Sequence, residues 1–313
     1  MTEIGRFAFS GCESLTEIII PDGVTEIQGA FSSCRALVSV KIPNSVTSIG
    51  NGAFSRCESL SEIVLPDSVT EIGHSVFFGC DSLVSLPVTE RITSIGTSAF
   101  QGCDGLTDIV VPDSVTSIGK EAFSRCRNLV NVKIPYGVTV LENDVFYDCD
   151  SLVSITIPDS VTSLGMRVFE DCDSLTNITI PDSVTSMDYR LFYSCDSLTD
   201  VKLPAGITAI SSYMFYECKS LKSVDIPSGV TSIGKNAFQK SGIESITIPD
   251  SVVSIGKDAF YGCSELKSIT IPDGVTEIAE NAFFGCDNVT FYVSPDSYAE
   301  RYAANNGFDY IVQ

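Results

Sequence analysis

Cysteines are the first residues here whose type and spacing could do chemistry. A zinc site or a disulfide framework would show close pairs such as C-x-x-C. Instead Cys12, Cys34, Cys57, Cys80, Cys103, Cys126, Cys149, Cys172, Cys195, Cys218, Cys263 and Cys286 recur about every 23 residues, and Ser241 fills the one missing place. Stacked turns would set neighbours roughly 5 Å apart, near bridging range, but with their side chains parallel rather than facing. Buried thiols acting as small apolar groups are the expectation. The single histidine, His74, cannot build a multi-histidine metal site or a histidine-based triad.

Carboxylates fall in two repeating columns. One follows a proline (Asp22, Asp67, Asp113, Asp159, Asp182, Asp250, Asp273) and the other follows the cysteine (Asp81, Asp104, Asp150, Asp173, Asp196, Asp287). Calcium held between turns would use such oxygens. Repetition at nearly every turn fits hydrogen bonding by each Asp to its own turn instead. No unique pair stands out for glycoside hydrolysis. No catalytic residue, metal or cofactor is assigned. Asn177-Ile178-Thr179 and Asn288-Val289-Thr290 match the glycosylation tripeptide, at a frequency chance explains.

Two columns could meet a partner. Two residues before the cysteine, serines in early repeats (Ser10, Ser32, Ser55) give way to Tyr147, Tyr193, Tyr216, Tyr261 and Phe284, with Phe78 as an early outlier. Exposed aromatic rings with polar tips favour recognition, although rings could also simply pack on each other. Five and seven residues after the cysteine lies a mixed polar face that includes Lys133, Asn177 and Lys202.

The elements that position these residues come from one repeat, clearest from Leu60 to Cys80 as L-S-E-I-V-L-P-D-S-V-T-E-I-G-H-S-V-F-F-G-C. Leu stands three residues after each cysteine, and aliphatics stand six and eight after, as in Ile178 and Ile180. This period of two predicts a short strand with one face buried. Pro then ends the strand, since it has no N–H for the ladder, and Pro-Asp-Ser turns the chain. V-T-x-I-G predicts a second brief extended piece. A-F-x-x-C places Phe and Cys one helical or 3₁₀ turn apart. Thirteen Phe, from Phe9 to Phe283, form this column. Burial of large side chains at about 1.5–3 kcal/mol each carries the stability, and one turn alone could not close a core.

The expected architecture is a repeat solenoid: a right-handed coil of about 13 turns over residues 1–293. Short parallel strands line one side, and short extended pieces and 3₁₀ or helical turns line the other. Residues 294–313 form a cap, with a capping box at Ser297 to Glu300, a helix stopped by Gly307, and a closing strand at Phe308–Val312. Around Pro87 the pattern is displaced at constant length, which predicts a distortion and not a break. The units at Ile27–Phe31 and Phe238–Ile243 are one residue short. Met1-Thr2-Glu3-Ile4-Gly5 reads as the tail of a repeat, so the array is expected to begin upstream. It lacks the basic and apolar stretches of a secretion signal. The net charge of −21 argues against nucleic acid and anionic lipid as partners. Apolar runs are strand-sized, which excludes helical membrane insertion.

The repeated I-P-D-S-V-T-S-I-G-x-x-A-F-x-x-C-x-S-L and the segment S-Y-A-E-R-Y-A-A-N-N-G closely resemble the BspA-like leucine-rich repeat family, over nearly the whole chain. The resemblance implies a curved right-handed solenoid, display outside the cell or on its surface, and adhesion to host extracellular protein or glycan. It also implies that the chain is not an enzyme. The alternatives are a structural spacer that projects other domains and, less favoured, a carbohydrate-active enzyme. The turn after the strand departs from ordinary leucine-rich repeats: Pro-Asp-Ser stands where their Asn would be. Oligomeric state is not read from these residues.

Overall fold

The computed structural model describes residues 3–313. Met1 and Thr2 of the opening stretch lie outside the described residues; the strand Glu3–Ile4 pairs in parallel with Glu26–Ile27, as a repeat tail should. The chain is a parallel-strand solenoid of about thirteen turns in two compact units, the first ending at Val161 and the second beginning at Thr162.

In the first unit, strands Glu17–Ile19, Ser39–Lys41 and Glu62–Ile63 pair in parallel, and so do Asp108–Val110, Asn131–Lys133 and Ser154–Thr156. Between these sheets the turn around Pro87 has no strand, and Pro87 itself is buried. The opposite side is uninterrupted from Glu3–Ile4 to Ser117–Ile118 in one six-stranded sheet. Phe77 and Phe100 still stack across the irregular turn at 5.3 Å. The coil is therefore distorted there and not broken.

In the second unit Asn177–Thr179 pairs with Asp200–Lys202, and Ser245–Thr247, Ser268–Ile271, Thr290–Val293 and Asp309–Val312 form one parallel sheet. Residues 221–227 lack a strand although their pattern is regular. They precede the shortened repeat, where Gly242 crosses so close to the previous turn that an added Cβ would collide with the Lys219 carbonyl oxygen. The helix Tyr298–Asn306 starts with half of its capping box: the Glu300 N–H donates to Ser297 Oγ at 3.0 Å. Glu300 Oε2 accepts instead from the Asp296 N–H at 2.7 Å, one residue before the cap, and the Ser297 N–H donates to the Ser294 carbonyl. Gly307, left-handed at φ 75°, ends it. Phe283, Phe291, Tyr302 and Phe308 then close the core, with Phe291 and Phe308 at 4.9 Å.

The arc from Gly to Cys explains how neighbouring residues part inward and outward. In the turn of Cys57, Ala53, Ser55 and Cys57 donate to carbonyls three residues back, the hydrogen bond of a 3₁₀ turn. The alternate amides of Gly52, Phe54 and Arg56 donate instead to His74, Val76 and Phe78 of the next turn. No helix forms, because two residues per arc are left-handed, here Gly52 at φ 63° and Arg56 at φ 58°. The same two positions are left-handed in all thirteen arcs, even where Arg, Asp or Glu stands there. Such residues cost about 1–2 kcal/mol each, which the inter-turn hydrogen bonds offset.

The Phe column from Phe31 to Phe283 is fully buried. Within each unit its successive rings stack 5.1–5.8 Å apart. The cysteines beside it are thiols in both units, without disulfides. They do more than fill space. Cys57 Sγ–H donates to the Phe31 carbonyl of the turn before, at 3.2 Å, and Cys126 and Cys218 do the same to Phe100 and Phe192. Each such carbonyl also accepts the N–H of its own turn's Cys, so both lone pairs are used. Cys12 is the exception and is exposed.

Candidate functional site

Because the residue after the buried Phe reaches the surface in most turns, with Ser124 and Glu170 the buried exceptions, the second unit presents an aromatic edge. Tyr193 and Tyr216, one turn apart, stack face to face at 4.4 Å and 3°. Both are half-buried, beside the fully buried Phe192 and Phe215. Tyr213 leans on both, at 6.5 Å and 6.0 Å. Arg190 lies over Tyr193 and Tyr213 at 5.0 and 5.2 Å, Lys235 over Tyr213 at 5.9 Å, and Lys240 over Tyr216 at 6.0 Å. Two carboxylates hold these cations: Glu170 faces Arg190 at 3.6 Å and Glu217 faces Lys240 at 2.9 Å. Desolvation, with Tyr216 alongside, pushes the Tyr193 phenol up to about 12, so its hydroxyl is a neutral donor at physiological pH.

Tyr261 and Phe284 form a second stacked pair at 5.3 Å, with Phe284 exposed. Gln239 occupies the column between the two pairs. Tyr147 belongs to the first unit, where Arg125 sits 5.9 Å from its ring. On the sheet side, Asn177 and Lys202 project from adjacent paired strands of the second unit. Lys133 lies on the first unit's sheet and reaches Asp113 at 3.6 Å.

Sequence reasoning placed Tyr193 with Tyr216 but left out the cations. Arg190 and Tyr213 occupy the left-handed position two before the buried Phe in successive turns, a 23-residue spacing that signals their shared edge. Two of the repeated carboxylates bond the turn that follows and not, as expected from the sequence, their own: Asp104 Oδ1 accepts from the Arg127 N–H and Asp182 Oδ1 from the Ala205 N–H, at 3.0 and 2.9 Å. His74 Nδ1 likewise accepts the Thr97 N–H at 3.0 Å. Among the described residues no group of three or more His, Cys, Asp or Glu is placed to hold a metal ion.

The sequence profile described as "BspA type Leucine rich repeat region" matches, in 6 copies, residues 1–107, 93–212 and 185–306. The chain belongs to the BspA-type leucine-rich repeat family. This BspA-type chain is similar to a leucine-rich repeat protein from Bacteroides ovatus at 29% identity and TM-score 0.66, covering 95% of this chain and 92% of that one. It is also similar to a leucine rich cell surface protein from Faecalibacterium prausnitzii at 30% identity and TM-score 0.58, covering 96% and 79%. The pneumococcal vaccine antigen PcpA, at 20% identity and TM-score 0.65 over 97% and 91%, shares the fold. No curated protein matches the chain. Among the described residues no helix is long and apolar enough to cross a membrane.

Proposed function

We propose that this BspA-type chain is a non-enzymatic binding module displayed at the cell surface, engaging a host extracellular protein or glycan. The observation that carries the reading is the Tyr193–Tyr216 stack at 4.4 Å, flanked by Tyr213 and cations. Rings held in place by their neighbours lose little rotamer freedom on contact, which makes them efficient anchors. Display at the surface is supported by the relative from Faecalibacterium prausnitzii, described as a cell surface protein. A non-enzymatic role is supported by the single histidine and by carboxylates engaged in turns.

The test is binding of the immobilised chain to panels of host extracellular proteins and glycans, repeated with Tyr193→Ser/Tyr216→Ser. Loss of the captured ligand with unchanged circular dichroism supports the aromatic edge. Unaltered capture removes it, and a chain that captures nothing on either panel is a spacer.

A further inference from the structure

The sheet face of the first unit is unlike the rest of the chain. Three outward slots per turn lie five, seven and ten residues after the cysteine. In the turn of Cys57 they hold Glu62, Val64 and Asp67. Two turns before, they hold Glu17, Ile19 and Asp22; two turns after, Asp108, Val110 and Asp113. The turn of Cys34 breaks the pattern with Ser39, Lys41 and Asn44. Acid–aliphatic–acid thus recurs with a period of two turns.

The aliphatic members face water: Ile19 is 71% exposed, Val64 79% and Val110 65%. A groove of about 620 Å³ opens on this face, lined by Lys41, Glu62, Val64 and Asp67 among others. The second unit carries Thr179, Lys202 and Thr247 in the middle slot instead, and no aliphatic there is exposed to this degree.

We infer that this face docks an extended, basic polyproline-II segment of a partner protein, with Lys or Arg at every third residue beside an aliphatic one. The charge selects the sign. In the outward slots of these five turns Glu90 and the six acids above stand against Lys41, all exposed. Arg91 lies beside Glu90, and Lys133 of the following turn is 3.6 Å from Asp113, which leaves the face acidic. Spacing selects the conformation. Two turns span about 9.6 Å at the usual separation of paired strands. Three polyproline-II residues advance about 9.3 Å. A strand repeats a face at about 6.8 Å and two helical turns advance about 10.8 Å, so each falls out of step sooner. The inference rests on the chain being a binding module, but it uses a different surface from the aromatic edge.

The test titrates the full chain with a synthetic peptide of repeating Pro-Val-Lys, by calorimetry at rising salt. Binding should weaken as salt rises, and Glu62→Lys/Asp67→Lys should weaken it by about tenfold or more. Tyr193→Ser/Tyr216→Ser should leave it unchanged. Both acids are exposed, and circular dichroism checks that the variant folds. The inference is overturned if the peptide does not bind, or if the double acid variant binds equally well. It is also overturned if a peptide of the same composition, with its lysines scrambled out of the three-residue spacing, binds as tightly. Each of these outcomes leaves the aromatic-edge proposal standing, because that proposal is read by the host panels and by the tyrosine variant.

Discussion

Phe215 and Tyr216 are adjacent in sequence and differ by one oxygen, yet they belong to different regions of the molecule. Phe215 is sealed in a continuous internal row of rings, while Tyr216 stands half-exposed on Tyr193. The inner row is nearly invariant because every ring is its neighbour's solvent-excluding wall. The outer row changes freely, from Ser55 through Gln101 to Tyr216, because most of its residues are only partly buried and need not fill a fixed internal space. Stability is thus concentrated in one column and diversity in the next, which suits a scaffold that must vary its contacts without refolding.

The largest expected effect comes from the inner column and alkaline pH. Burial pushes the Cys57 and Cys126 thiols up to about 12 from the ordinary 9.0, and it raises Cys103 and Cys195 well above that ordinary value. An unfolded thiol begins to ionise near 9, whereas the folded one keeps its proton to about 12. Stability is therefore flat in this respect below pH 9. It then falls by about 1.4 kcal/mol per pH unit for each such thiol until the folded value is reached. Thermal unfolding followed from pH 8 to 11 should show a steep drop in Tm. A flat profile would mean the thiols are accessible. Thiol labelling of the folded chain at neutral pH should modify Cys12 quickly and the buried members slowly.

Next in size is Phe123→Ala. Phe123 is fully buried, 5.6 Å from Phe100 and 5.8 Å from Phe146, and its removal should cost about 3–5 kcal/mol in denaturant unfolding. Gly242→Ala should be comparably severe, since its Cβ would displace the Lys219 carbonyl. By contrast Tyr193→Ser/Tyr216→Ser should cost about 1–2 kcal/mol, the stacking and partial burial of the two rings, while removing ligand capture. If the tyrosine pair proved as costly as Phe123, the division between inner and outer columns would fail.

Much of this could be read from the sequence, for identifiable reasons. Strict alternation at Ile178 and Ile180 located the buried face of a strand, and the Ser297–Glu300 box located the cap helix. The thiol hydrogen bonds were not legible, because Cys57 looks like any small apolar residue until the Phe31 carbonyl is seen beneath it. The missing strand at 221–227 was hidden too: L-K-S-V-D-I-P fits the repeat, and the perturbation lies in the shortened turn that follows. At the aromatic edge the tyrosine column was visible at fixed offset. Arg190 and Lys235 were not, because their contacts depend on a backbone conformation that periodicity does not report.

That conformation supplies the smallest effect and tests what separates the two columns. Arg56 is exposed and left-handed at φ 58°, one residue before Cys57; the same slot holds Gly79 and Gly102 in the next two turns. Its guanidinium lies 5.8 Å from the Phe78 ring, an exposed contact that contributes about 0.5 kcal/mol. Arg56→Ala and Arg56→Gly both lose that contact, but only Gly sheds the Cβ that disfavours a left-handed residue. The Gly variant also pays more entropy on folding, by roughly 0.5–1 kcal/mol. A backbone penalty of about 1–2 kcal/mol should outweigh this, leaving Arg56→Gly more stable than Arg56→Ala by up to about 1 kcal/mol. Arg56→Ala more stable than Arg56→Gly in denaturant unfolding, by roughly the 0.5–1 kcal/mol of glycine's entropy, would mean the left-handed turn carries no strain there. The parting of Phe54 inward from Ser55 outward would then owe nothing to backbone strain and would rest on the inter-turn hydrogen bonds alone.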